Sequence, residues 1–183
     1  MRSLPFFLDL DEIRVVHAYW NDQDIRYLKA FIPEGILKKS FLRTIHEEQH
    51  PAANIIYKTL KGLEYNFPDD LIIKCNKGMS RKVFRMNWWE PPMEKTFREL
   101  SFGNKFVLPE YTVPKQIAPS FEPYPPDKPP VFIGHYSLND GADIFQYNIC
   151  CVDSNVTGTG QLSAYRWSGE QKLLRENIVS VSL

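Results

Sequence analysis

Several things are scarce in this chain of 183 residues, and each scarcity excludes a class of protein. Cysteine occurs three times, at Cys75 and the adjacent Cys150 and Cys151. That set makes no CxxC pair and an awkward disulfide framework, and it fits a reduced, cytoplasmic protein. No apolar run approaches the roughly 20 residues of a membrane span. The opening MRSLPFFLDLDE is broken by Asp9 and does not read as a signal peptide. Neither charge dominates, with 22 Lys+Arg against 22 Asp+Glu. No global field therefore points to nucleic acid or an anionic membrane. Repeats and low-complexity segments are absent too.

Hydrophobic residues make up 43% of the chain, enough to bury the core of a single domain over 1–183. Ile13 to Tyr19 reads as a strand. Asn21 and Asp22 then offer a cap and a first-turn acid for a helix carrying Ile25, Leu28 and Ile32 on one face. A second helix is predicted over 36–49, and a third over 52–63 with Ile56, Leu60 and Leu63 aligned. Leu71–Lys74 and Arg81–Trp88 read as strands of a hairpin turning at Asn76-Lys77-Gly78. In the latter strand, Phe84, Met86 and Trp88 should face one way and Val83, Arg85 and Asn87 the other. Ten of the fourteen prolines follow between Pro91 and Pro130. They predict an extended strap with little regular structure, packed down by its aromatics. Strands are expected again at 131–135, 147–153, 161–167 and 178–182. Cys150 and Cys151 should point to opposite faces of theirs.

Two short apolar runs end on histidine: Ile13-Arg14-Val15-Val16-His17 and Val131-Phe132-Ile133-Gly134-His135. A buried strand that stops at such a residue delivers an imidazole to the end of a sheet, where ligand-binding groups collect. The two can meet only if their strands share a sheet. Imidazole suits borderline ions such as Zn, Mn or Fe. Two histidines make half a site, because a catalytic zinc normally takes three protein ligands. The HEEQH stretch (His46, His50) meets the bare pattern of a zinc helix, but Pro51 and its charged surroundings make it a solvated face.

The segments LPFFLDLDEIRVVHAYW (4–20), TLKGLEYNFP (59–68), NKGMSRKVFRMNWW (76–89), PPVFIGHYSL (129–138) and NICCVDSNVTGTGQLSAYRWSGE (148–170) carry a family resemblance. In that order, the chain resembles the C-terminal half of a bacterial calcineurin-like metallophosphoesterase, of the branch that includes serine/threonine protein phosphatases and diadenosine tetraphosphatases. The resemblance implies an α+β or α/β fold, half of a β-sandwich flanked by helices, with a helical and Pro-rich insertion at about 34–129. It implies that His17 and His135 ligate the second metal of a two-metal centre (Mn, Fe or Zn) hydrolysing phosphoric esters. The family's earlier motifs, GDxHG, GDxxDRG and GNHE, do not occur in this sequence. The expectation is thus a centre that is inactive alone and binds its metal only when the other half is supplied, whether that half is encoded upstream or comes from another chain.

Around that centre, Lys61, Lys77, Arg81 and Arg85, with Trp88-Trp89, form a candidate wall for a phosphorylated or nucleotide-like substrate. Asp153 is placed behind the site or in a turn, beside Tyr136. An uncovered apolar sheet face, and with it self-association, is expected of half a sandwich. Two other readings stand: a non-catalytic remnant acting as a binding or scaffolding module, and a basic-aromatic hairpin for single-stranded nucleic acid, which the neutral charge disfavours.

Overall fold

A computed structural model describes residues 4–32, 35–39, 41, 43, 50–67, 73–75, 78–104 and 106–183. The fold is mixed α+β. By backbone contacts it divides into two compact units, one of residues 1–61 and 125–183, the other of 62–124.

The first unit is built on a five-stranded sheet. Its strands are β1 (Phe7–Asp9), β2 (Arg14–Val16), β8 (Val131–Ile133), β9 (Asp143–Gln146) and β10 (Ile149–Cys151), in the order β1-β2-β8-β10-β9. The central three, β2, β8 and β10, run parallel, and antiparallel β1 and β9 flank them. Both histidine-bearing runs thus enter one sheet as neighbours. They are shorter than expected, because each strand stops where its pairing stops and the residues beyond turn away as loops.

Strands buried on both faces read as continuous apolar runs. Val131, Ile133, Ile149, Cys150 and Cys151 are all buried accordingly. On one face, Phe132 and Cys150 pack with Leu173, flanked by Val15, Tyr165 and Trp167. The bare sheet face expected of half a sandwich is therefore not found at the central strands. Exposed apolar surface lies instead on the ribbon of β11 (Gln161–Tyr165) and β12 (Ile178–Ser182), where Leu162 opposes Val181 at 56% and 65% exposure.

Helix α1 (Asp22–Phe31) starts as its sequence dictates. The Asn21 side chain accepts from the amides of Gln23 and Asp24, and Asp22 and Asp24 meet the positive end of the helix. Helix α2 (Pro51–Lys61) begins with proline at its first position, where no amide is needed. Its buried face is Ala52, Ile56 and Thr59 rather than Ile56, Leu60 and Leu63. Thr59 can occupy that face because its hydroxyl donates back to the Ile55 carbonyl at 2.8 Å. Leu63 lies past the helix end and packs in the second unit. The helix expected at 36–49 falls mostly outside the described residues.

In the second unit, β3 (Glu64–Asn66) pairs with β6 (Val83–Arg85), and β4 (Ile73–Cys75) lies between β5 (Ser80–Arg81) and β7 (Phe106–Val107). The strand read over 81–88 is thus two, which break at Lys82 and join different sheets. The expected alternation holds across β6, where Phe84, Met86 and Trp88 are buried and Val83, Arg85 and Asn87 only half-buried. The proline-rich strap is more regular than expected. It contains a helical turn, α3 (Phe97–Leu100), closed by a capping box in which Thr96 and Glu99 bond each other's backbone amides. Its Phe97 packs with Tyr65, Phe67 and Phe84 in the core of this unit, with Phe106 and Phe121 against the same cluster.

Candidate metal centre at the carboxyl edge of the sheet

Ligands of open α/β sheets bind beyond the carboxyl ends of parallel strands. Arg14 opposes Val131 and Val15 opposes Phe132 across β2 and β8. Continued by two residues, that register sets His17 opposite Gly134. The Gly134 amide indeed donates to the His17 carbonyl at 2.9 Å. On the other side, Cys151 opposes Ile133, which brings Asp153 to the same edge from β10.

The two imidazoles meet. Their ring centres are 5.0 Å apart, with the planes inclined at 44°. The separation tests whether one cation fits between them. Two imidazoles that share an octahedral or tetrahedral ion, with metal–nitrogen bonds of roughly 2.0–2.1 Å, have ring centres roughly 4.5–5.2 Å apart. The 5.0 Å separation falls within that span, and equally within the roughly 4.5–7 Å of an ordinary ring contact. The donor count stops there: among the described residues, no group of three or more His, Cys, Asp or Glu is placed to hold a metal ion.

Each histidine is fixed by its backbone. Beyond His17, the amides of Ala18 and Tyr19 both donate to the Thr59 carbonyl near the end of α2, at 3.0 and 3.3 Å. Lys58 reaches Asp24 at 2.8 Å and ties that helix to α1. His135 is held differently. It adopts φ +62°, a left-handed conformation that non-glycine residues rarely take. The Tyr136 amide donates to the Gly134 carbonyl at 2.7 Å, closing a three-residue turn around it. Such γ-turns of positive φ are rare and strained. Tyr136 itself is fully buried, edge-on to Phe145.

Asp153 sits in the adjoining loop. One carboxylate oxygen accepts from the Ser137 hydroxyl at 3.2 Å, the other from the Asn155 amide at 3.0 Å, and its carbonyl accepts from Leu138 at 2.9 Å. A largely apolar cavity of about 370 Å³ opens beside the pair. Phe6, Leu8, Val15, Phe132 and Val152 line it, and His17 is its one titratable lining residue among those described.

The basic residues of the candidate wall fall in both units. Lys61 ends α2 in the first unit, its ammonium 5.9 Å from the Tyr57 ring centre. Arg81 and Arg85 belong to the second unit, on β5 and β6 of different sheets. Lys77 lies outside the described residues. Trp88 and Trp89 are buried, at 0% and 4% exposure, and so offer no solvent-facing stacking surface. Within HEEQH, His46 is outside the described residues. His50 uses its ring Nδ1 to accept from the Ala52 amide at 3.1 Å, at the start of α2.

No family model, curated protein or solved structure matches the chain. Among the described residues, no helix is long and apolar enough to cross a membrane.

What sequence reasoning missed here is the backbone of the site. Nothing in the spacing of GHYS foretells a left-handed histidine. The signal available was indirect: in VDSN, an Asp two residues before an Asn is a common turn-capping arrangement.

Proposed function

We propose that His17 and His135 are two ligands of a divalent metal in a phosphoesterase centre, completed by groups from another polypeptide segment. The carrying observation is the 5.0 Å approach of the two rings at the carboxyl edge of adjacent parallel strands. A bound divalent cation would supply Lewis acidity toward phosphoryl oxygens. This chain's own part is to hold two neutral imidazoles in register, with rigid backbone on both sides. The cavity beside His17 gives room for the organic part of a phosphorylated substrate. On this reading the fold is one half of a metallophosphoesterase-type sandwich, and the missing donors, including a bridging carboxylate, come from the segment that completes it.

The second reading, a non-catalytic binding module, is favoured by one observation. The central strands are already buried on both faces, so the sheet does not call for a second one to cover it.

A chromogenic phosphomonoester with Mn²⁺ separates the two. The chain alone should give no turnover, because two donors cannot hold a two-metal centre. Mixed with a polypeptide bearing GDxHG, GDxxDRG and GNHE, it should turn over, and His17→Ala and His135→Ala should each abolish that rate. A mixture that stays inactive while still binding metal supports the non-catalytic module.

A further inference from the structure

Two of the non-glycine residues with left-handed backbone lie at this one sheet edge, His135 at φ +62° and Asn155 at φ +50°. They belong to loops that leave neighbouring strands, β8 and β10. One residue is bonded to both loops. Asp153 receives the Ser137 hydroxyl and the Leu138 amide, two and three residues after His135, and its second carboxylate oxygen receives the Asn155 amide. The Asn155 side chain in turn donates to Asn139 at 3.2 Å, tying the same two loops a second time.

The His135 turn needs such a tether. A residue held in a sparsely populated φ/ψ region persists only when its surroundings over-determine it. On the N-terminal side the Gly134 amide is fixed to the His17 carbonyl. On the C-terminal side the fixed points are buried Tyr136 and then Asp153. Without the Asp153 carboxylate, the turn would keep Tyr136 and the Leu138 amide bond but lose the side-chain bond that sets Ser137. The strained turn would then relax, and His135 would move with its backbone from the position opposite His17.

We infer that Asp153 is the positioning residue of the site: it does not touch the metal, and it aims the His135 imidazole at His17. This rests on the reading of the pair as metal ligands only for its consequence, since the ring placement is a property of the metal-free protein. Partners that orient a ligating histidine typically change metal affinity by 10–100-fold when removed.

The test has one arm without metal and one with it. In the metal-free protein, nuclear Overhauser contacts between the His17 and His135 rings should be present in wild type. They should be lost in Asp153→Ala and retained in Asp153→Asn, whose side-chain oxygen still accepts from the Asn155 amide and whose NH2 group donates to the Ser137 hydroxyl oxygen in place of the bond that oxygen now gives. In the second arm, electron paramagnetic resonance of bound Cu²⁺ should count two imidazole nitrogens in wild type and Asp153→Asn. In Asp153→Ala it should count one, with affinity weakened by about tenfold or more. If Asp153→Ala fails to fold, Ser137→Ala removes the same bond more gently and should weaken the ring contacts in the same direction. Ring contacts and two-nitrogen coordination unchanged in both variants overturn the assignment. Ring contacts that respond as described in a protein that binds no metal uphold the positioning role and overturn the metal-centre reading instead.

Discussion

The amide of Gly134 donates to the carbonyl of His17 at 2.9 Å, so the residue that precedes one imidazole is bonded to the residue that carries the other. That single bond makes the histidine pair a feature of sheet pairing rather than of two independent loops. A change that slides β8 against β2 would part the two rings. A change in the turn after Gly134 would move His135 alone.

The left-handed backbone at His135 gives a prediction that opposes stability to binding. Glycine adopts such a φ freely, and the relieved strain, about 1 kcal/mol, is similar in size to the extra freedom glycine adds to the unfolded chain. His135→Gly should therefore leave stability in urea unfolding nearly unchanged while removing one imidazole from the pair. A loss of several kcal/mol would show that the ring is packed for structure and that the conformation carries little strain.

Acid should act through Glu170. Its partial burial pushes the carboxyl up, but bonds from the Tyr165 hydroxyl and the Ser168 and Asn177 groups outweigh this and hold it at about 2, against an ordinary value of 4.5. A depressed folded-state pKa contributes stability that is present above the unfolded value and lost as pH falls toward the folded one. The stability difference between wild type and Glu170→Gln should thus be constant above about pH 4.5 and shrink between there and about pH 2. Denaturant melts across that range check it, and a difference that holds steady down to pH 2 contradicts it.

The three thiols should separate by reactivity. Burial pushes Cys150 up to about 12 and Cys151 to about 11, and both lie inside the sheet, while Cys75 is half-buried. The thiolate is the reactive form. At mild alkaline pH a disulfide reagent should label Cys75 in the native protein and all three cysteines only in denaturant. Labelling of Cys150 or Cys151 in the native protein would show that the sheet opens there.

The sequence made the placement of the histidines legible because each ends a short β-branched run, and such runs pair with one another in buried parallel sheets. It hid the second unit for a matching reason. Glu64-Tyr65-Asn66 is a strand with only one buried residue, too short and too polar to show a period, and the alternation over 81–88 runs through Lys82 without marking the break between β5 and β6. The helical turn at Phe97 was signalled by the T-x-x-E pattern of Thr96 and Glu99, but the prolines around it dominate the reading. The buried face of α2 is not legible in the apolar pattern, because threonine counts as polar until its hydroxyl finds a carbonyl within its own helix.

Titration calorimetry with Mn²⁺ and Zn²⁺ tests the pairing of His17 and His135 most directly. The account predicts that the wild type binds metal when mixed with a polypeptide bearing GDxHG, GDxxDRG and GNHE, which supplies the further donors. That affinity should be weakened by about tenfold or more in each of His17→Ala and His135→Ala. Binding that is absent from the wild type, or that survives undiminished in both variants, would contradict it.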